Sequence, residues 1–334
     1  MAFINVFLKT LGFLVGIASF IIIINIFINY LPKNDENYKF VKGDNQSNNI
    51  IAILEINGPI INNFNNSLVG SIFQYIEPKI VKKKLSKLKK INPKVLIIKI
   101  NSPGGTVSAT ASLEKILNDF KKENETKIYF YSDEILASGG YWIATTGDKI
   151  FSNYGSIVGS IGVSGPSWYY YDKPTSISRG LIGQKIETKN GIQVFNQNAG
   201  SSKDLYNPFR KPTDKELDHL QIIVKNIYND FLIKVSNSRK IEINTLKDEI
   251  GALIYSGNQA KENFLIDDVL DFEQLIEKII ADNRFEDFKI LEIKIEKNFM
   301  DKYLANYFGN NYSVICNKLN SNFVSLLPIF LNKC

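Results

Sequence analysis

Two glycine pairs constrain the fold and function of this chain more than any other feature, because each lies between a strand-like apolar run and a helix-like segment. They are Gly104-Gly105, which follows the run 95–100, and Gly139-Gly140, which lies between the run 127–131 and the segment 141–144. Glycine has no Cβ, so the backbone N–H groups of such turns can approach a ligand closely. Ser138 directly precedes the second pair, at the start of a helix, where developing negative charge is stabilised. This layout predicts a serine acyl-transfer site.

The single histidine, His219, narrows the choice of general base. Thr213 and Glu216 precede it with the spacing of a capping box, and the apolar residues that follow recur at helical spacing. We therefore expect His219 on a helix surface, which leaves no Ser-His-Asp triad. Lysine is the known alternative base for a serine nucleophile. A lysine acts in this way only where its surroundings lower its pKa from about 10.4 toward the working pH.

Five motifs between residues 50 and 280 resemble, in order and approximate spacing, the signal peptide peptidase A (SppA) family of membrane-anchored Ser-Lys proteases, in its short single-domain form. They are Ile-Asn-Ser-Pro-Gly-Gly (100–105), Ala-Ser-Gly-Gly-Tyr (137–141), Gly-Ser-Ile-Gly-Val (159–163), Lys203-Asp204 with Pro-Phe-Arg (208–210), and Gly-Asn-Gln-Ala (257–260) before Leu-Ile-Asp-Asp (265–268). Each motif alone is a weak signal, whereas all five in order are a strong one.

The resemblance implies a role for each matching residue. Ser138 is the expected nucleophile, Lys203 the general base that takes its proton, and Ser160 the residue that orients the lysine amine. The expected oxyanion-hole donors are backbone N–H groups of Gly104 or Gly105, between which the sequence does not decide, and of Gly139. Each role has a purely structural alternative: Ser138 as a helix cap, Lys203 as a solvated lysine, Ser160 as part of a common Gly-Ser-Ile-Gly turn, and the glycines as tight turns.

The lysine motif has two further features. Asp204 and Arg210 are interpreted as a structural ion pair that positions the lysine loop. The segment between Val163 and Lys203 is longer than expected for compact family members, and it is rich in aromatic residues.

The N-terminal run 11–31 carries no charged side chain, and it is long enough to span a bilayer, which takes about 20 such residues. A cleaved signal peptide has a shorter apolar core, usually about 7–15 residues, so we expect an uncleaved anchor. The predicted organisation is a transmembrane anchor (1–32), a polar linker (33–49), a peptidase domain (50–280) and a C-terminal extension (281–334).

Strand-like and helix-like runs alternate from residue 50 onward, which favours a layered α/β fold. The resemblance implies the crotonase/Clp-like version of this fold with an N-terminal transmembrane helix. It also implies a single-pass membrane protein with its catalytic domain on the non-cytoplasmic side. Family precedent further implies a homo-oligomeric ring, in which serine and lysine can come from neighbouring subunits.

A lysine-rich run at 79–94 carries apolar residues at helical spacing. We expect an amphipathic helix packed on the sheet, with attraction to anionic lipid headgroups near the anchor as the functional alternative. A net charge of +6 without a recognition motif does not point to nucleic acid.

The C-terminal extension gives weaker signals. The segment 290–295 partly alternates, as an edge strand does, and the apolar tail 323–331 is too short to span a bilayer. Cys316 and Cys334 could form a disulfide if the tail lies outside the cytoplasm.

The sequence therefore predicts a membrane-anchored serine endopeptidase that cleaves leftover signal peptides or other membrane-associated apolar polypeptides. No metal or other cofactor is expected, because the sequence has no zinc-spaced His/Cys cluster and no phosphate loop. The alternatives are a crotonase-type acyl-CoA enzyme, because paired glycines also suit thioester enolates, and a catalytically silent membrane scaffold of the same fold.

Overall fold

The computed structural model describes residues 2–30, 37–62, 74–178 and 185–293. The chain forms two compact units, Met1–Lys39 and Phe40–Cys334. The first unit contains helix α1 (Ala2–Tyr30). Its segment Ile4–Ile24 has a mean hydropathy of 2.3 and no buried residues, so it is long and apolar enough to cross a membrane. The expected N-terminal apolar helix is confirmed.

The described residues form twelve strands and six further α-helices. The strands are β1 (Tyr38–Gly43), β2 (Ile50–Asn57), β3 (Val95–Asn101), β4 (Lys127–Ser132), β5 (Ile135–Ala137), β6 (Lys149–Ser152), β7 (Ile157–Gly159), β8 (Ser176–Ser178), β9 (Lys185–Glu187), β10 (Ile254–Ser256), β11 (Asp268–Val269) and β12 (Lys289–Ile293). The helices are α2 (Pro78–Leu88), α3 (Val107–Asn124), α4 (Gly139–Ala144), α5 (Asp214–Arg239), α6 (Gly257–Glu262) and α7 (Phe272–Asn283), and a π-helical turn spans Thr245–Ile250.

Seven strands build the main sheet in the order β1-β12-β2-β3-β4-β6-β11. From β12 to β11 every neighbouring pair is parallel. In β3, Val95 and Ile97 join a core cluster with Leu275 and Ile279 of α7, so they face that helix. The alternate residues of β3 are equally buried, which means that the opposite face is covered too. Burial on both faces explains why β3 is an almost continuous apolar run.

A smaller sheet, in the order β10-β7-β5, lies against the end of β3. Strand β5 is parallel to β7, and β10 is antiparallel to β7. Ser102, directly after β3, bridges to Leu136 of β5: its N–H donates to Ile135 O at 2.7 Å, and its carbonyl accepts from Ala137 N at 3.0 Å. These bonds bring the two strand-to-helix turns with the glycine pairs to one place.

Most elements expected from the sequence are present, and the layered α/β fold is confirmed. The apolar runs form β2, β3 and β4, and the first part of the lysine-rich run, up to Leu88, forms the amphipathic helix α2, which buries Pro78, Val81, Leu85 and Leu88. His219 lies exposed on α5, as expected.

Two expectations on strands differ from the structure. The segment at 289–293 is a strand, but the expectation of an edge strand was wrong, because β12 lies between β1 and β2. Part of the predicted linker forms β1. The domain boundaries stay predictions, although β1 and β12 both join the main sheet from outside 50–280. The tail 323–331 and both cysteines lie outside the described residues.

Candidate active site

Ser138 lies in a sharp turn between β5 and α4. Its backbone angles are φ +53° and ψ −120°, a region that residues with a side chain rarely adopt. The turn is held from both sides, because Ser138 N–H donates to Gly159 O at 2.8 Å and its carbonyl accepts from Trp142 N at 2.9 Å. Ser138 is 1% exposed. A strained strand-to-helix turn of this kind is how hydrolases present a nucleophilic serine.

The turn after β3 contains the first glycine pair. Gly104 has φ +110°, its N–H donates to Ser102 Oγ at 3.2 Å, and its carbonyl accepts from Ile60 N at 2.9 Å. The N–H of Gly105 belongs to the same peptide plane as the Gly104 carbonyl and points the opposite way, away from Ile60. Within the described parts of the chain, this N–H has no acceptor. Gly105 therefore offers a free donor in this turn, whereas Gly104 does not.

Close packing leaves no room for side chains at these glycines. A Cβ on Gly105 would lie 2.0 Å from Ile60 O, and one on Gly140 would lie 2.9 Å from Ser102 O. The second contact puts the first turn of α4 directly against Ser102. Among the residues described, the N–H of Gly139, next to Ser138, also has no acceptor. Two unpaired backbone donors thus belong to turns that pack together beside Ser138.

Ser160 follows β7 as Ser138 follows β5, and the pairing of Ala137 with Gly159 makes the two serines neighbours. Ser160 also has a positive φ, +54°, and it is 9% exposed. Its N–H donates to Leu253 O at 2.7 Å, which ties it to the residue before β10. The structure therefore brings Ser138, Ser160 and the glycine turns together.

Lys203 lies in a different region, in the loop between β9 and α5. Its side chain is exposed, and its backbone N–H donates to Gly200 O at 3.3 Å. No hydrogen bond or ion pair joins its Nζ to Ser138 within the part of the chain that is described. Among the described residues the structure thus shows no contact between the two members of the expected dyad, which stays a prediction.

An ion-pair cluster occupies the same loop. Arg210 bridges Asp204 and Glu216, with its Nη2 at 2.7 Å from Asp204 Oδ1 and at 2.8 Å from Glu216 Oε1. The bonds from Arg210 lower the pKa of Asp204 to about 2 and hold the pKa of Glu216 far below its usual range. The expected ion pair between Asp204 and Arg210 is present, and Glu216 is a third member that sequence reasoning placed only in a capping box. The sequence shows these three residues, but it does not show that both carboxylates bind the one guanidinium of Arg210.

The aromatic segment after Val163 packs on this loop. Trp168 and Tyr206 have ring centroids 5.2 Å apart, and Trp168 Nε1 donates to Asn207 O at 3.2 Å. Tyr171 N–H donates to Pro208 O at 2.8 Å. The unusually long segment therefore supports the lysine loop.

Helix α4, which begins beside Ser138, is anchored in the core. Tyr141 is fully buried, and its hydroxyl donates to Leu265 O at 2.7 Å; burial raises the pKa of this phenol well above its usual range. The Trp142 ring stacks on Phe231 of α5 at 4.9 Å between centroids. These contacts fix the helix that positions the Ser138 turn.

A buried serine on a positive-φ turn beside unpaired backbone donors is the arrangement of a serine hydrolase. The family model for peptidase family S49 matches residues 120–285, which include Ser138, Ser160 and Lys203. The chain belongs to peptidase family S49, and it is a serine protease. The resemblance to the SppA family is thereby confirmed.

The chain is also similar to individual curated proteins and solved structures. A putative signal peptide peptidase SppA from Enterococcus faecium is 28% identical over 320 residues, which cover 89% of this chain and 87% of the relative. A putative protease from Methanocaldococcus jannaschii is 34% identical over 206 residues, or 61% of each chain. Among solved structures, a variant of the membrane-bound stomatin-specific protease 1510-N with a substrate peptide aligns over 77% of this chain and 97% of its own, with 14% identity and a TM-score of 0.42.

Proposed function

We propose that this protein is a membrane-anchored endopeptidase that uses Ser138 as nucleophile and Lys203 as general base. Its substrates are leftover signal peptides or other membrane-associated apolar polypeptides. The observation that carries the proposal is the strained turn of Ser138, which lies beside the two unpaired N–H groups of Gly105 and Gly139. An acyl-CoA enzyme would need paired glycine donors but neither this serine nor an anchor.

The proposed reaction has two stages. The neutral amine of Lys203 takes the Ser138 Oγ proton while Oγ attacks the scissile carbonyl carbon, and the carbonyl oxygen becomes an oxyanion held by Gly105 and Gly139 N–H. The C–N bond then breaks, and the lysine ammonium gives its proton to the leaving amine. Water, deprotonated by Lys203, hydrolyses the acyl-enzyme and returns Ser138. Ser160, next to Ser138, orients the amine, and Gly105 is favoured over Gly104 as donor because Gly104 N–H is bonded to Ser102.

An extended peptide would bind by main-chain hydrogen bonds near Gly105 and after Gly159, since peptides often add a strand to an available backbone edge. Such binding recognises the peptide backbone and depends little on side-chain identity. It would therefore accept apolar substrates of varied sequence. Comparing cleavage of an apolar signal-peptide sequence with that of a charged peptide of equal length tests this substrate class. Equal turnover of both would contradict the apolar preference.

We propose that the dyad forms between subunits of a homo-oligomer. Lys203 is exposed in the single chain, and it has no contact with Ser138 among the described residues. A lysine amine serves as a base near neutral pH only where it is shielded from water. A neighbouring subunit would supply both the shielding and the serine.

The first test uses full-length protein in detergent and a quenched apolar peptide. Ser138→Ala and Lys203→Ala should each abolish cleavage, while circular dichroism shows an unchanged fold. Full activity of the lysine variant would show that another group is the base. Normal cleavage by both variants would remove the proposed site altogether.

The second test mixes the two inactive variants after subunit exchange. If each site combines serine and lysine from different chains, random mixing at equal amounts restores about one quarter of the sites. A dyad within one chain restores none, because every chain then lacks one member.

We also propose that α1 crosses the bilayer once, with the catalytic unit on the non-cytoplasmic side. The apolar segment Ile4–Ile24 is the support for the anchor. A protease added to intact cells should then digest the catalytic unit. Protection until the cells are lysed would place that unit in the cytoplasm.

A further inference from the structure

The backbone around Lys203 is in a strained conformation. Ser202 and Tyr206, on either side of it, have positive φ angles of +59° and +66°. Neither residue is glycine, and conformations of this kind persist only where the surroundings fix them. The side chain of Lys203 makes no hydrogen bond or ion pair within the described ranges, so it does not hold this loop in place. Another residue must do so.

Arg210 makes the contacts that fix the loop. Its guanidinium binds Asp204, the residue directly after Lys203, through two bonds: Nε to Oδ2 at 2.8 Å and Nη2 to Oδ1 at 2.7 Å. It binds Glu216 through two more: Nη1 to Oε2 at 2.9 Å and Nη2 to Oε1 at 2.8 Å. One side chain therefore connects the residue beside the base to the start of α5.

Glu216 makes this connection rigid. It is the third residue of α5 and a member of the capping box, in which its Oε2 accepts from Thr213 N at 2.9 Å. Its side chain in the Arg210 pair is only 5% exposed. The pKa of Glu216 lies far below its usual range, chiefly because of the bonds from Arg210. Asp204, directly after Lys203, is thus tied through Arg210 to one buried carboxylate on a helix of 26 residues.

The contacts require arginine and not merely a positive charge. A planar guanidinium has five N–H donors in a fixed fork, and it can serve two carboxylates at once, whereas a lysine ammonium cannot reproduce this geometry. The guanidinium also lies 5.2 Å from the centre of the Trp168 ring. Arg210 thereby joins the aromatic segment, the lysine loop and α5.

We propose that Arg210 is a positioning residue for Lys203, and that it sets the direction of the base through Asp204 and Glu216. This inference rests on the proposed function of Lys203. The clamp, defined as Asp204, Arg210 and Glu216, forms within the chain that carries the lysine. It presents the base in a fixed place whichever chain supplies the serine.

The test compares Arg210→Ala, Arg210→Lys and Asp204→Asn with a matched control, Lys121→Ala. The Lys121–Asp148 ion pair is as exposed as the Arg210–Asp204 pair, 33% against 30% for the basic side chain, but it joins α3 to the residue before β6. Cleavage of the quenched peptide is measured across pH, together with melting temperature. A misplacement of about 1 Å in a catalytic group costs roughly 100-fold in rate.

We expect both Arg210 variants to lose roughly 100-fold in kcat with little change in KM, and to shift the pH at which kcat/KM rises. Asp204→Asn should behave similarly, and Lys121→Ala should keep full activity. Added guanidinium should restore part of the activity to Arg210→Ala and none to Lys203→Ala. The pH shift and the rescue separate positioning from a general loss of fold.

The outcomes distinguish this inference from the function on which it rests. If Lys203→Ala is inactive while folded Arg210→Ala and Asp204→Asn keep kcat and the pH profile, the positioning role is wrong and the dyad stands. If Arg210→Ala does not fold, Asp204→Asn decides alone. If Lys203→Ala is fully active, both the dyad and the positioning role are wrong.

Discussion

The backbone strain at Ser138 should be measurable, because a glycine at this position relieves the strain and so raises the free energy of unfolding relative to alanine. A residue with a side chain in a sparsely populated backbone region costs about 1–3 kcal/mol, and Ser138 is such a residue at φ +53° and ψ −120°. Both Ser138→Ala and Ser138→Gly remove the hydroxyl, so both should be inactive. Because neither variant has the hydroxyl, the difference between their free energies of unfolding reports only the effect of the Cβ and of the backbone conformation.

The neighbouring residue supplies the control. Ala137 is fully buried in β5, and its N–H donates to Ser102 O at 3.0 Å, but it has no positive φ. An Ala-to-Gly change there should cost about 1.5 kcal/mol, roughly half from the freedom of glycine in the unfolded chain and half from a lost buried methyl. The same change from Ala to Gly at position 138 carries both costs, but it releases about 2 kcal/mol of strain. The net effect at 138 is therefore near zero or about 0.5 kcal/mol stabilising.

Thermal unfolding of four proteins gives the comparison: the wild type, Ala137→Gly, Ser138→Ala and Ser138→Gly. For a unit of this size each 1 kcal/mol shifts Tm by about 2–4 °C, so the strain of about 2 kcal/mol corresponds to about 4–8 °C between the two glycine effects. If glycine lowers Tm at position 138 as much as at 137, the turn is relaxed and the strain argument fails.

Two further predictions concern the glycine turn and the clamp. Gly105→Ala would place its Cβ 2.0 Å from Ile60 O. It should therefore break the two backbone bonds beside it, from Ile60 N to Gly104 O and from Thr106 N to Ile60 O, at about 1 kcal/mol each, and abolish cleavage; a wild-type Tm with full peptide turnover would contradict the packing. Arg210 lowers the pKa of Asp204 to about 2, below the ordinary value of about 3.9, so the stabilisation from this pair is present above about pH 4 and is lost as the pH falls through about 2. Near-UV circular dichroism of the aromatic segment should therefore be constant down to about pH 4 and change below it; the same acid transition in Asp204→Asn would assign it to another group.

The sequence alone predicted those features that depend on a local pattern of residues with a single physical cause. Long apolar runs predicted β3 and β4 because parallel strands covered on both faces need apolar residues at nearly every position. The spacing of Thr213 and Glu216 predicted the start of α5, because a capping box is a local device. The glycine pairs predicted close backbone approach. At Gly105 this approach is to Ile60, whose backbone lies so near that a Cβ would clash with it.

Features that depend on contacts between residues far apart in the sequence could not be predicted from such local patterns. Gly104 N–H is occupied by a local bond to Ser102, but the direction of the free Gly105 N–H follows from the bond of Ile60 N to the Gly104 carbonyl, a pairing across more than forty residues. The inner position of β12 depends on β1, which formed within a stretch that has the composition of a linker. The clamp likewise required three charged residues to meet in space.

The two halves of the proposed site are held by different physical means. The serine half, at the ends of β3, β5 and β7, is fixed by backbone hydrogen bonds continuous with the core, which is why it tolerates a strained residue. The lysine half is fixed by side-chain ion pairs and aromatic contacts that join its loop to α5 and to the aromatic segment, and none of these contacts involves Ser138. A base held in this way needs no serine from its own chain to keep its direction, but its exposed amine needs a surface that excludes water before it can act near neutral pH. In the proposed homo-oligomer, assembly would supply that surface at the moment it supplies the nucleophile. Activity in the quenched-peptide assay should therefore fall when such an oligomer is diluted into subunits, even though each subunit keeps its fold.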